Sequence, residues 1–130
     1  MLNLVPIPAQ TEQIGHEVIG CALRVHRELG PGLLERLYQN ALAIELAEAG
    51  LSFETQKPVN VSYRGQIIGV QRLDFLVDTR VLVELKIVSA IDYVHKAQVL
   101  SYLRSSGLRL GLLINFNVGV LKDGIRRVVL

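Results

Sequence analysis

Apolar residues recur every three or four positions at Ile14, Val18, Cys21, Ala22, Val25 and Leu29. That is the period of a helix with one buried face. Thr11 stands where an N-cap belongs, and Gly30-Pro31 ends the segment. Past the joint Gly30-Pro31-Gly32 a second helix is predicted over residues 33–49. Its inner stripe reads as Leu34, Leu37, Ala41, Ile44 and Ala47, and Gly50 stops it. The period then changes to two. Val59, Val61 and Tyr63 alternate in a strand over 53–64, with Pro58 marking an edge or a bulge. A turn at Arg64-Gly65-Gln66 leads into Ile67–Val70 and on to two short apolar runs, Phe75-Leu76-Val77 and Val81-Leu82-Val83. The polar triplet Asp78-Thr79-Arg80 between those runs makes them a hairpin.

Asp92 opens a third helix over 93–105. Val94, Ala97, Leu100 and Leu103 form its packing stripe; His95, Gln98 and Tyr102 form a polar one. A buried strand over 109–115, a turn at Lys122-Asp123-Gly124 and a last strand over 125–130 complete an α-α-β-β-β-α-β-β order. Residues 1–10 read as an N-terminal arm and 11–130 as a single domain, as the length of 130 residues suggests.

The hairpin carries the candidate chemistry. A three-residue loop sets Val77 opposite Val81, so Asp74 should face Glu84, and Arg72 should face Lys86. Opposed carboxylates repel by up to about 1 kcal/mol, and drying them costs several more. Lys86 could neutralise the pair on an ordinary surface hairpin. Alternatively a divalent cation reverses the sign of the interaction, and oxygen ligands of this kind suit Mg²⁺ or Mn²⁺.

Composition bears on the partner. The net charge is only +2, but residues 1–54 hold three Arg against seven Asp/Glu, and residues 55–130 hold eleven Lys/Arg against five. A basic half containing a carboxylate pair suits a polyanion. The longest uncharged apolar stretch, residues 110–121, is broken by Asn115 and Asn117 and is too short to span a bilayer. No signal peptide is read in residues 1–8, and the lone Cys21 excludes an intramolecular disulfide framework. A cytoplasmic setting is the expectation. His26 has no partner at ligand spacing and reads as structural or surface.

Gly32-Leu-Leu-Glu35-Arg-Leu-Tyr38 resembles the signature of the GxxExxY protein family, which is assigned to the PD-(D/E)XK nuclease superfamily. The resemblance runs from about Thr11 to Leu130. It includes Val25-His-Arg-Glu-Leu-Gly-Pro-Gly32, Val83-Glu-Leu-Lys86 and Leu112-Leu-Ile-Asn-Phe-Asn117. Gln98-x-x-x-Tyr102 is similar to the Q-x-x-x-Y motif of the RecB-like and lambda-exonuclease-like branches. The resemblance implies an α/β fold with a restriction-endonuclease-like core: a mixed sheet flanked by helices, here with an extra N-terminal helix.

It also implies a metal-dependent nuclease. Asp74, Glu84 and the backbone carbonyl of Leu85 would hold Mg²⁺ or Mn²⁺. Lys86 would be the superfamily lysine, orienting and stabilising charge. Glu35 would reach the site directly or through water, and Gln98 and Tyr102 would position the phosphate or Lys86. The expected partner is nucleic acid, DNA in preference to RNA. Two rival classes stand beside this one. The first is a non-cutting nuclease-like module that binds nucleic acid or a protein. The second is a domain that oligomerises through the sheet edge at Val128-Val129-Leu130.

Overall fold

The computed structural model describes residues 5–130. Helices α1 (Ala9–Leu29) and α2 (Glu35–Glu48) precede strands β1 (Phe53–Tyr63), β2 (Gln66–Val77) and β3 (Val81–Lys86). Helix α3 (Tyr93–Ser106), β4 (Leu110–Asn115), a 3₁₀ turn at Leu121–Gly124 and β5 (Ile125–Val129) follow. The sheet runs β1-β2-β3-β4-β5, antiparallel except for the parallel β3/β4 pair that α3 connects. This is the α/β order expected, with a mixed sheet and two N-terminal helices.

Strand alternation divides the core. Val81, Val83 and Leu85 of β3 and Leu110, Leu112 and Ile114 of β4 point to one face, against α1 and α2. Leu82 and Leu113 point to the other, against Val99, Tyr102 and Leu103 of α3. Helix α1 buries Ile14, Val18, Cys21, Ala22 and Val25, as its spacing predicts, but Leu29, the last residue of that stripe, is exposed at the helix end. Its start differs: Pro8 takes the N-cap position, and Thr11 is buried in the first turn.

Two helix faces also differ from expectation. Helix α2 buries Tyr38, Leu42 and Leu46, while Leu34, Leu37 and Ile44 are exposed. Tyr38 stacks on Phe116 with ring centroids 4.5 Å apart, and this contact sets the rotation of the helix. Helix α3 buries Val99, Tyr102 and Leu103, leaving Val94 and Ala97 exposed. The side chains that α3 packs on the sheet come from Val99 onward, where Val99, Tyr102 and Leu103 join Val59, Leu73, Leu82 and Leu113 in one cluster.

The joint before α2 is closed by the same tyrosine. Tyr38 Oη donates to the carbonyl of Gly30 and accepts from the Leu33 N–H at 3.2 Å. Gly32 holds φ at 105°, a conformation that a side chain disfavours. The Gly-to-Tyr spacing of the motif is thus a folding device that fixes where Glu35 emerges.

Gly111 of β4 lies directly under α3. A Cβ there would stand 2.6 Å from Val99 Cγ1. Gly111→Ala is expected to lower stability by about 1–3 kcal/mol through overpacking. Urea unfolding checks this, and Val99→Ala in the same chain should recover part of the loss.

Candidate active site

The β2/β3 ladder holds three pairs: Val77 with Val81, Leu76 with Leu82 and Phe75 with Val83. At the next step side chains replace the backbone. Asp74 Oδ2 accepts the Leu85 N–H at 2.9 Å, and Glu84 Oε1 accepts the Asp74 N–H at 3.4 Å. The ladder therefore opens where Asp74 and Glu84 meet. A strand residue presents its N–H and C=O to the same side, so the Leu85 carbonyl lies along this opening. The predicted continuation to Arg72 and Lys86 does not form. Arg72 pairs with Pro58 of β1, and Lys86 pairs with Asn115 of β4.

Glu84 is 5% exposed, on the α3 side of the sheet with Leu82. Its carboxyl is raised from 4.5 to about 8, first by burial and then by the negative charge of Asp74. Lys86 Nζ stands 3.8 Å from Glu84 Oε2 and offsets only part of this. Glu84 therefore holds its proton more readily than an exposed glutamate does.

The helices approach from opposite faces. Glu35 is the first residue of α2. Partial burial raises its carboxyl, followed by the charge of Asp74, with Lys86 acting in the other direction. Its link to the pair is electrostatic. Among the described residues, no group of three or more His, Cys, Asp or Glu stands where it could hold a metal ion. From α3, Gln98 Nε2 donates to Tyr102 Oη at 3.0 Å. Burial pushes the Tyr102 phenol up to about 12, helped by Glu84 and then Asp74, so it stays a neutral hydroxyl. His95, on the same predicted polar stripe, instead accepts the Asp92 N–H at 2.9 Å as part of the helix cap.

Two further residues bear on the site, and only one of them left a signal in the sequence. Gln56 Nε2 donates to Asp74 Oδ1 at 3.3 Å. Gln56 has φ 52° and falls between the pairs Thr55–Phe75 and Lys57–Leu73, outside the ladder. The register runs on through this position without an inserted residue, and nothing in a strand-like sequence flags a left-handed residue there. Asn115, 1% exposed, accepts the Val88 N–H through Oδ1 at 3.2 Å and donates from Nδ2 to the Val88 carbonyl at 2.9 Å. It anchors the chain leaving Lys86, and a polar residue ending an apolar strand is the signal that could have found it. His26 bonds the Val118 carbonyl at 2.8 Å and is structural.

The donor set fits a hard divalent cation. All candidate donors are oxygens: the Asp74 and Glu84 carboxylates and the Leu85 carbonyl. Mg²⁺ takes one or two carboxylates and keeps several waters. A divalent cation there would favour the ionised form of Glu84, which burial and the charge of Asp74 oppose.

Two measurements check this geometry. Glu84 has a raised folded-state value, so its contribution to stability is largest at low pH. It falls as pH rises from about 4.5, where the unfolded chain ionises, to about 8. The apo protein should therefore lose thermal stability across that window, and Glu84→Gln should flatten the slope. An unchanged slope would contradict the burial argument. Gln56 occupies a left-handed conformation that costs a non-glycine residue roughly 1–2 kcal/mol. Gln56→Gly is expected to raise the melting temperature while weakening Mn²⁺ binding, read by calorimetry.

Comparison with known proteins gives one match. No curated protein and no solved structure matches the chain. The PD-(D/E)XK nuclease superfamily matches over residues 12–128, from the first turn of α1 to β5. With that match across nearly the whole chain, and with the mixed sheet and helices already described, the protein belongs to the PD-(D/E)XK nuclease superfamily.

Proposed function

We propose that the protein is a metal-dependent nuclease of the GxxExxY branch, hydrolysing phosphodiester bonds at the Asp74–Glu84–Lys86 opening. The observation that carries this reading is the replacement of backbone pairing by two facing carboxylates, with Lys86 beside them. Superfamily membership implies a nucleic-acid substrate. The basic excess in residues 55–130 agrees with a polyanion. DNA is the substrate we favour over RNA.

Asp74, Glu84 and the Leu85 carbonyl would hold Mg²⁺ or Mn²⁺. When bound, the cation lowers the pKa of water and polarises the phosphoryl group. The chain supplies the rest. Lys86 places a cation beside the reacting phosphate. Tyr102, a neutral hydroxyl held by Gln98, donates a hydrogen bond without adding charge. Glu35 orients water from the α2 side. Asn115 fixes the direction in which the chain leaves Lys86, and Gln56 holds the second oxygen of Asp74.

A non-cutting binding module is the second reading. It is favoured by the hydrogen bonds already engaging both oxygens of Asp74. One assay separates the two. Linear and circular DNA and RNA are incubated with Mg²⁺ or Mn²⁺, using wild type and Lys86→Ala, with an EDTA control. The nuclease reading predicts wild-type cleavage that EDTA abolishes. It also predicts a loss of at least a hundredfold in Lys86→Ala, with Mn²⁺ affinity changed less than about threefold, since Lys86 is not a ligand. Mn²⁺ binding without cleavage of any substrate would favour the module.

A further inference from the structure

Strands β1 and β2 run beyond the rest of the sheet. β3 pairs with β2 only from Phe75 to Val77, whereas β1 and β2 stay paired out to Tyr63 and Gln66. The segment from Lys57 to Leu73 is therefore a two-stranded ribbon rooted at Asp74. Eight residues of strand between Leu73 and the tip at Gly65 extend it by about 25–30 Å.

Helix α3 covers only the base of one face. Val59 and Leu73 belong to the α3 core, and Gln71 Nε2 donates to Ser101 Oγ at 3.3 Å. Beyond that base the ribbon is bare. Tyr63 is 63% exposed, Ile67 64%, Ile68 66% and Val70 53%. An isolated two-stranded ribbon is marginal in water, and an apolar one invites a partner.

Charge selects the partner. Residues 55–73 contain Lys57, Arg64 and Arg72 and no Asp or Glu. Arg64 sits in the tip turn with φ 50°, followed by Gly65 at 79°. Arg72 is exposed beside the root, on the face away from Gln71 by strand alternation. Neither arginine makes an ion pair among the described residues. One cation therefore lies at each end of the bare surface, and no carboxylate within the ribbon opposes them.

We infer that this ribbon is a nucleic-acid-gripping arm and that the substrate is a duplex. A B-form major groove, about 12 Å wide, admits a two-stranded β-ribbon, and a helical turn of about 34 Å is close to the arm's length. Arg72 would meet backbone phosphate beside the Asp74 opening, and Arg64 would meet it near the tip. Tyr63, Ile67, Ile68 and Val70 would supply the apolar contacts between them. The inference rests on the nuclease reading of the site and adds to it both the duplex and the path that it takes.

The test is binding without metal, so that nothing is cut. Fluorescence anisotropy compares a labelled 25-base-pair DNA duplex with its single strand, over a series of salt concentrations. Wild type should prefer the duplex. Arg64→Glu with Arg72→Glu should weaken duplex binding at least tenfold and lower the salt slope by about two, one for each lost phosphate contact. Ile68→Ser with Val70→Ser should weaken it at least threefold at an unchanged slope. Melting temperature should stay at the wild-type value in the arginine variant, and Mn²⁺ affinity in Arg64→Glu alone, because Arg64 lies in the tip turn at the far end of the ribbon from the carboxylate opening.

Unaltered affinity and slope in the arginine variant would overturn the arm and leave the site reading standing. Wild-type preference for the single strand would overturn the duplex. A wild-type dimer in light scattering that Ile68→Ser with Val70→Ser converts to monomer would assign the ribbon to a second copy instead. Wild type that binds neither DNA nor Mn²⁺ would overturn the arm and the nuclease reading together.

Discussion

A buried carboxylate facing another carboxylate is the constraint on which this structure turns. Glu84 is dry, its nearest cation is Lys86 at 3.8 Å, and Asp74 adds negative charge across the opened ladder. A core built for stability alone would place an apolar residue there and continue the pairing of β2 with β3. The chain instead ends that pairing after Phe75 and Val83 and turns the freed N–H groups of Asp74 and Leu85 onto the two carboxylates. Unpaired backbone is thereby satisfied, and the acids are held in place by the strands that carry them.

The surrounding architecture serves that opening. Each face of the sheet brings one helix to it: α2 with Glu35 on one side, α3 with Gln98 and Tyr102 on the other. Their positions follow from packing far from the acids. The stack of Tyr38 on Phe116, together with its closure of the glycine joint, fixes the start of α2. Gly111 lets α3 sit close on β4. Among the described residues no helix is long and apolar enough to cross a membrane. The exposed apolar surface of the ribbon belongs to a strand pair that outgrows its sheet.

Much of this was legible in the sequence because two periodicities and one motif agree. The 3.6-residue stripe of α1, the alternation in β1 and the polar triplet after Val77 predict those elements and the Val77–Val81 register. Asp74 meets Glu84 as that register requires. The rest depended on contacts distant in sequence. Helix α2 carries two apolar stripes, and propensity cannot choose between Leu34-Leu37-Ile44 and Tyr38-Leu42-Leu46. Phe116 chooses, from 78 positions beyond Tyr38. The lost pairing of Arg72 with Lys86 has a similar cause: the acids themselves break the ladder that a local count extends. Gln56 left no trace, because a left-handed backbone opposite Asp74 is not something a strand-like run of residues signals.

The most direct test of the account is anomalous diffraction from crystals of the protein soaked in Mn²⁺. The account predicts one strong peak between the carboxylates of Asp74 and Glu84, on the side of the Leu85 carbonyl, absent from crystals of Asp74→Asn. A map with no peak in that opening, or with manganese only on other acids, would contradict the proposal that Asp74 and Glu84 hold a cation.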